Sequence, residues 1–295
     1  MRVGAIFILT LLIIGCNLEI KDDSNSRSSV SKLNALSSET SGITFANNLH
    51  PTEQLNIIEY LYYYNGGGVA VGDLNNDGLE DIYLSANQES DKVYLNKGGL
   101  TFEDITEASK IDQSTTWSTG VAIDDVNGDG LNDIYVCKVS KISAPGTHNL
   151  LYINNGDMTF TESSKSYGLD FSGYSTHAGF FDYDHDGDLD MYLLNHSVHS
   201  VRSYGKADVR NVQDLESGDR LFENKLSDKE KIFIDVTQKA GIYSSALGYG
   251  LALSISDINN DGWDDIYVGN DFHENDYIYI NNKNRTFSES QDKLI

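Results

Sequence analysis

A nine-residue pattern that occurs four times is the strongest constraint on how this chain folds. The pattern is Asp-x-(Asn/Asp)-x-Asp-Gly-x-x-Asp, and repetition of one motif indicates an architecture built from equivalent units. An acidic chain can contain one such copy by chance, but four copies with the same flanking residues indicate a shared structural unit. The copies occupy residues 73–81, 125–133, 182–190 and 257–265.

The spacing of oxygen-bearing side chains within each copy predicts a binding loop for a hard cation. Oxygens at positions 1, 3 and 5, a glycine at position 6 for the sharp turn and a carbonyl at position 7 suit calcium. Magnesium demands stricter octahedral geometry, and no thiolate or imidazole stands at a ligand position to favour zinc. An empty hairpin turn, the alternative, needs no carboxylates at these positions. The closing carboxylate is at position 9 rather than position 12, which excludes an EF-hand and argues against dockerin-like repeats.

The residues around each loop predict β-strands. A short apolar run precedes each loop. The last residue of the loop is the Asp of an Asp-(Ile/Met)-Tyr-(Leu/Val) segment, which continues past the loop. Further on, each repeat has a second apolar run that ends in Asn, followed by a segment centred on Phe, which together indicate a hairpin. Each repeat therefore supplies four strands, and four-stranded units at this spacing predict an all-β fold, a β-propeller over residues 41–295.

The loops and their strands resemble the FG-GAP/VCBS repeats of integrin α-chain propellers and of many bacterial surface proteins. Residues 41–45 and 62–73 are similar to the start of the bacterial lipoproteins and cartilage acidic protein-like proteins that add an ASPIC/UnbV domain. The resemblance covers residues 41–295 and implies about four Ca²⁺ ions, each held by positions 1, 3, 5 and 9 and by the carbonyl of position 7. The ligands so implied are Asp73, Asn75, Asp77, Leu79 and Asp81; Asp125, Asn127, Asp129, Leu131 and Asp133; Asp182, Asp184, Asp186, Asp188 and Asp190; and Asp257, Asn259, Asp261, Trp263 and Asp265.

The number of visible repeats departs from this group. Its propellers usually contain more blades than four, and nothing similar to an ASPIC/UnbV domain follows the fourth repeat. We expect a truncated member of the group; the alternative is a propeller of four or five blades that closes alone, with residues 41–68 as an extra set of strands.

The amino-terminal segment predicts a lipid anchor. Residues 3–14 are almost wholly apolar but too few to cross a hydrocarbon core of ~30 Å as a helix, so residues 1–15 are interpreted as a signal peptide. The Ile-Ile-Gly-Cys run that ends at Cys16 resembles the lipobox of bacterial lipoproteins, which implies acylation of Cys16; an ordinary secretory signal is the alternative. Residues 16–40 are polar and predict a flexible tether.

The anchor determines the expected location of the protein. Residues 21–23 resemble acidic export signals, and a merely soluble linker is the alternative. We expect a lipid-anchored protein of the bacterial outer membrane, exposed on the cell surface, with a periplasm-facing position as the alternative. With Cys16 acylated, Cys137 has no partner, and no disulfide is expected.

The net charge argues against nucleic acid as a partner. The 295 residues include 45 Asp and Glu against 21 Lys and Arg, a formal charge of −24, which repels phosphate backbones. Ligand positions 1, 3, 5 and 9 hold 3, 3, 4 and 3 carboxylates in the four loops, so 13 of the 45 acids are expected to face cations.

The remaining motifs locate no catalytic chemistry. No nucleophile elbow, zinc-binding helix, Walker loop or dinucleotide motif is present, and His196 and His199 are interpreted as residues of a surface loop. Two insertions, residues 138–149 and 196–219, are candidates for partner contact. We expect a calcium-binding interaction or adhesion module for a surface protein or glycan. The alternative is a calcium-dependent, polysaccharide-active enzyme, which requires acid, base or His side chains converging at the central channel.

Overall fold

Short strands rich in β-branched and aromatic residues dominate the regular structure, as their composition predicts. The computed structural model describes residues 34–198, 207–226, 233–272 and 274–290. Contacts divide the chain into residues 1–36 and a compact unit, Ser37–Ile295, which contains every element given below. Cys16, the predicted signal peptide and most of the predicted tether lie outside the described residues. Within the described ranges no helix is long and apolar enough to cross a membrane.

The described part of the chain contains sixteen strands in four sheets of four, each an antiparallel meander in chain order, and these sheets are called blades 1 to 4. Blade 1 contains β1 (Val69–Gly72), β2 (Asp81–Leu84), β3 (Lys92–Asn96) and β4 (Phe102–Asp104); blade 2 contains β5 (Ser118–Asp124), β6 (Asp133–Lys138), β7 (Leu150–Asn154) and β8 (Phe160–Glu162). Blade 3 contains β9 (Ser175–Phe181), β10 (Asp190–Asn195), β11 (Arg220–Asn224) and β12 (Phe233–Asp235); blade 4 contains β13 (Gly250–Ser256), β14 (Asp265–Asn270), β15 (Tyr277–Asn281) and β16 (Phe287–Glu289).

Among the described residues, helical structure is limited to short segments of three to five residues, one before the first strand and the others between strands. The described α-helical segments are α1 (Ser38–Ser41), α2 (Ser164–Tyr167) and α3 (Thr237–Ala240), and 3₁₀ turns occur at Ser140–Ile142 and Ala207–Asn211. The predicted all-β propeller architecture of four-stranded blades is confirmed.

One register places the Asp-rich loop at the same point of every blade. Each loop joins the first strand to the second, and the position-9 aspartate pairs with the residue that precedes position 1, as Gly72 with Asp81 and Asp124 with Asp133. Phe181 with Asp190 and Ser256 with Asp265 repeat the pairing. All four loops therefore leave their sheets at the carboxyl ends of the first strands.

The hydrophobic core consists of separate layers between consecutive blades. One buried cluster joins blades 1 and 2 around Tyr83 and Tyr152, and another joins blades 2 and 3 around Tyr135 and Met191. A third, around Tyr279, joins blades 3 and 4. Burial of each large side chain contributes about 1.5–3 kcal/mol, so the blades stabilise one another through their faces. Cys137 is buried, with a free thiol.

The first strands of the blades lie side by side in the order β1, β5, β9 and β13. A Cβ atom at Gly120 would lie 2.4 Å from His177 Nδ1 and 2.5 Å from the Thr176 carbonyl oxygen, so this close approach of β5 to β9 requires glycine. The four strands line a cavity of about 370 Å³ that includes Val71 and Ile255. These strands therefore form the wall of a central channel, with the Asp-rich loops at one end.

Candidate functional site

The backbone of the Asp-rich loops takes one shape in all four blades. Positions 4 and 6 both have positive φ angles, for example 58° at Asn76 and 85° at Gly78 in the first loop, and 59° at His185 and 96° at Gly187 in the third. Gly, Asn and, less often, His tolerate this left-handed region, which explains the invariant glycine at position 6 of this repeat.

The aspartate at position 1 folds each loop around itself. In the first loop, the carboxylate of Asp73 accepts hydrogen bonds from the N–H groups of Asp77, at 3.1 Å, and Gly78, at 2.7 Å. Asp125, Asp182 and Asp257 accept the same pair of bonds in their loops. The position-1 carboxylate is therefore held in place by its own loop.

The position-9 aspartates are buried and tie each loop to the third strand of its blade. Oδ2 of Asp133 accepts from the Val126 N–H at 3.1 Å, and Oδ1 accepts from the Asn154 N–H at 2.8 Å. Burial raises the pKa of Asp133 to about 7, although these N–H groups oppose the shift. The equivalent carboxylates, Asp81, Asp190 and Asp265, make the same two bonds.

An asparagine that recurs at the end of the third strand connects neighbouring blades at the loop end of the channel. The Asn154 amide donates to the carbonyl oxygens of Leu74 in the first loop and Asn132 in the second, at 2.8 and 3.0 Å. Asn224 and Asn281 make the corresponding contacts one and two blades further on. The repeated Asn at the end of the third strand was the available signal, but its partner lies in the preceding repeat.

Position 3 separates the third loop from the first two. Asn75 accepts a hydrogen bond from the Asp77 N–H at 3.1 Å, and its amide donates to Asp77 Oδ2 at 3.0 Å. Asn127 makes the same pair of bonds in the second loop. The side chain of Asp184 has no amide to donate and is 1% exposed, and its two carboxylate oxygens accept no hydrogen bond from any described residue.

The third loop concentrates carboxylate oxygens in one place. Oxygen atoms of Asp182, Asp184 and Asp190 lie within 4.8 Å of one another, the one cluster of this kind among the described residues. Burial, together with the neighbouring Asp186, raises the pKa of Asp184, and burial and Asp186 raise the pKa of Asp188 to about 6. Such a set of carboxylates, in which the oxygens of Asp184 accept no hydrogen bond, fits the oxygen donors that a hard cation requires.

Arg285, from the β15–β16 hairpin of blade 4, supplies the positive charge nearest to this cluster. Its Nε lies 3.0 Å from Asp184 Oδ2 in an ion pair whose geometry is not that of a hydrogen bond. One terminal nitrogen lies 3.7 Å from Asp186, and the other donates to Glu223 at 2.8 Å. The guanidinium therefore balances only part of the loop's charge.

The negative charge of the fourth loop is balanced by a lysine rather than by an arginine. Lys283 Nζ lies 3.3 Å from Asp261 Oδ2, and together with nearby hydrogen bonds it lowers the pKa of Asp261 against the opposing effect of desolvation. Trp263 at position 7 stacks on His185 of the third loop, with ring centroids 3.7 Å apart. In the same way Asn76 of the first loop donates to the Gly130 carbonyl of the second at 3.0 Å. Neighbouring loops thus lie side by side. The predicted ligands of each ion come from one loop alone.

The opposite end of the channel brings together the two predicted insertions. Lys141 Nζ of the first insertion lies 2.7 Å from Glu216 Oε1 of the second. The end residues of the first insertion are structural, since the Lys138 N–H donates to Asn149 Oδ1 at 2.7 Å and both residues are buried. Residues 199–206 of the second insertion, including His199, lie outside the described residues.

The prediction of a surface loop was wrong for His196. This residue is buried, its Nε2 lies 3.0 Å from the Tyr60 hydroxyl and its Nδ1 lies 3.2 Å from Thr176 Oγ1. Burial lowers the pKa of His196 to about 3, so the ring is neutral at physiological pH. Tyr60 belongs to a segment far away in sequence, which is why the local pattern did not predict the burial.

An aromatic cluster covers this end of the channel. Tyr60, Tyr62, Tyr63, Trp117 and Tyr249 are buried together, and a cavity of about 330 Å³ opens beside them. The cavity is lined by Tyr60, Tyr62, Asn65, Gly66, Gly67, Gly68, Trp117, Thr119, Gly120, Thr176, His177, His196 and Leu251. Sequence reasoning missed this site, because its residues come from five separate stretches of chain.

Comparisons with known proteins support the repeat assignment. A family model described as FG-GAP-like repeat matches residues 73–136 and 140–193, which include the first three loops. Cartilage acidic protein 1 of Xenopus tropicalis is 29% identical over 136 residues, 45% of this chain and 20% of that protein, so the chain spans about a fifth of the length of this relative. A solved structure concerning recognition of non-reducing terminal N-acetylglucosamine by an Agrocybe aegerita lectin aligns with a TM-score of 0.42 and 20% identity over 75% of this chain and 50% of that one. The chain therefore contains FG-GAP-like repeats, as its motifs predict.

Proposed function

We propose that this chain is a calcium-binding interaction module in which Ca²⁺ strengthens the loop end and the opposite end contacts a protein or glycan partner. The observation that carries the calcium part is the third loop, where two oxygens of buried Asp184 accept no hydrogen bond from a described residue. A buried carboxylate that accepts no hydrogen bond and is paired only with the Arg285 guanidinium is costly, and a bound cation would offset that cost. Five aspartates at alternate positions, from Asp182 to Asp190, supply the oxygen-rich, flexible donor set that calcium prefers.

A calcium titration tests this part of the proposal. We expect calorimetry to report about four bound ions, one for each loop, and thermal unfolding to shift upward with calcium because the ions bind the folded state. At a free concentration of 100 Kd, one site adds about 2.7 kcal/mol to the free energy of unfolding. Magnesium at the same concentration serves as the control, and an unchanged melting temperature after chelation would contradict the proposal.

The partner face is proposed to be the end at which the two insertions meet. FG-GAP-like repeats support an interaction function, and loops that project from a rigid scaffold are common binding elements. Replacement of residues 200–209 by a short Gly/Ser linker leaves the Lys141–Glu216 contact and the Arg210–Glu274 ion pair in place. We expect the variant to lose the ligands that the parent protein binds on protein and glycan arrays while keeping its melting temperature. Unchanged binding would refute a role for this insertion.

The membrane anchor is part of the same proposal. Acylation at Cys16 would hold the protein on the bacterial outer membrane, at the cell surface or facing the periplasm. We expect Cys16→Ser to release the protein from the membrane fraction, and protease treatment of intact cells to distinguish the two orientations. Retention of the variant in membranes would exclude this anchor.

The composition of the channel cavity favours interaction over polysaccharide cleavage. Glycoside hydrolysis commonly uses a pair of carboxylic acids, and the residues lining the cavity include neither Asp nor Glu. Both ring nitrogens of His196 already face hydroxyl groups, and burial holds its pKa too low for a general base at neutral pH. The interaction function is therefore the one proposed.

A further inference from the structure

The cavity at the channel end opposite the Asp-rich loops has a size suited to a small ligand. Its volume of about 330 Å³ is near the lower limit of ligand pockets, roughly 300–1,000 Å³. The aromatic residues Tyr60, Tyr62 and Trp117 form part of its lining, and Thr119 and Thr176 add hydroxyl groups. Such a combination of ring faces and hydroxyl groups suits a ligand that has both apolar and hydroxylated surfaces.

The lining is uncharged in a strongly acidic protein. It contains no Asp, Glu, Lys or Arg, although the chain carries a formal charge of −24. His196 is neutral because it is buried against Tyr60 and Thr176, and burial also lowers the pKa of His177. A charged ligand would enter this cavity without an opposite charge to pair with, so the chemistry favours a neutral ligand.

Two residues of the cavity lining each have a buried polar atom without a protein partner among the described residues. The hydroxyl of Tyr62 and Nδ1 of His177 form no hydrogen bond with any described residue. Buried polar groups are nearly always hydrogen-bonded, so an unpaired pair beside a cavity points to a ligand or ordered water that completes them. Neutral imidazole and phenol can both donate or accept, as the hydroxyl groups of a sugar can.

The glycine-rich wall of the cavity is fixed before any ligand binds. The Gly68 N–H donates to Ser85 Oγ at 2.6 Å, and the Asn87 amide donates to the carbonyl oxygens of Gly66 and Ser118 at 3.1 and 2.9 Å. On the other side, the Trp117 N–H donates to Ser143 Oγ at 3.0 Å. A wall held in this way loses little entropy on binding.

We propose that this cavity binds one neutral, hexose-sized sugar ring. The inference rests on the proposed interaction function and specifies its ligand as an uncharged carbohydrate. The ring packs against the aromatic residues, and its hydroxyl groups complete the hydrogen bonds of Tyr62 and His177. Calcium takes no part in this contact, because the Asp-rich loops lie at the other end of the strands.

Saturation-transfer NMR and calorimetry with defined sugars test the proposal. The neutral probes are glucose, galactose and N-acetylglucosamine, and glucuronate is the charged control of similar size. We expect at least one neutral probe to bind and glucuronate to bind at least tenfold more weakly. Absence of binding by all three neutral probes, or equal binding of glucuronate, would overturn the proposal.

Two single-atom variants distinguish a ligand contact from a structural role. Tyr62→Phe removes the unpaired hydroxyl, so we expect at least tenfold weaker sugar binding with an unchanged or higher melting temperature. Tyr64→Phe removes the hydroxyl of a neighbouring, exposed tyrosine outside the cavity, and we expect no change in binding. A lower melting temperature for Tyr62→Phe, or equal binding by both variants, would contradict the assignment. If the parent protein binds no sugar but calcium still raises its melting temperature, this inference alone is rejected and the calcium proposal stands.

Discussion

The first and third Asp-rich loops have the same backbone conformation but differ in the groups that balance their carboxylates. In the first loop the amide of Asn75 donates to Asp77, so two side chains of the loop satisfy each other. In the third loop Asp184 replaces that asparagine, and its buried oxygens meet only the ion pair with Arg285. A single amide-to-carboxylate difference therefore separates a loop whose position-3 side chain is hydrogen-bonded within the loop from one whose position-3 side chain is not.

The hairpins that contact the first and third loops also differ in charge. Leu100, Met158 and Arg285 occupy the equivalent hairpin position, each with φ between 62° and 66° and each followed by Thr and Phe. Met158 packs on the cluster between blades 1 and 2, which includes Leu74 of the first loop. Arg285 reaches the third loop instead. The charge at position 3 and the charge of the facing hairpin thus change together.

The largest expected loss of stability follows from removing the position-9 aspartate, which both loops have. Asp81→Ala and Asp190→Ala each leave two buried N–H groups without an acceptor, at a cost of about 1–3 kcal/mol for each group. We expect both variants to lose about 2–6 kcal/mol in urea unfolding with calcium chelated. If the two variants lose very different amounts of unfolding free energy, the position-9 aspartate does not have the same structural role in both loops.

A smaller effect is expected when the first loop is given the chemistry of the third. Asn75→Asp removes the amide donor to Asp77 and adds a like charge, so we expect a loss of about 1 kcal/mol in chelator. Because position 3 is a proposed calcium ligand, we expect saturating calcium to restore the stability. Unfolding curves with and without calcium measure this stability, and an equal loss in both conditions would show that the carboxylate at position 3 does not bind calcium.

The smallest expected change in stability comes from the facing hairpin. Arg285→Met introduces the residue that blade 2 has at the same position, and it removes partly exposed ion pairs that contribute about 0–1 kcal/mol. We expect slightly lower stability in chelator but tighter calcium binding at the third loop, since one competing positive charge is gone. Weaker calcium binding in this variant would mean that Arg285 supports the ion rather than competing with it.

Local patterns predicted the loops well and the channel end poorly, for a physical reason. The turn at Gly78, the strand that begins at Asp81 and the closing carboxylate all depend on neighbours within nine residues. The site around Tyr60 and His196 depends on residues 136 positions apart, whose proximity follows from blade packing rather than from local sequence. The Asn154 contact with the preceding blade escaped prediction for the same reason.

Calcium binding to the parent protein and to Asp184→Asn measures the central difference between the loops most directly. The variant gives the third loop the position-3 residue of the other three and keeps the size of the side chain. Glu107→Gln, which removes an exposed charge outside all four loops, is the matched control. We predict that calorimetry finds the tightest of the calcium sites weakened at least tenfold in Asp184→Asn, with the remaining sites and the control unchanged. Identical calcium isotherms for Asp184→Asn and the parent protein would contradict the account.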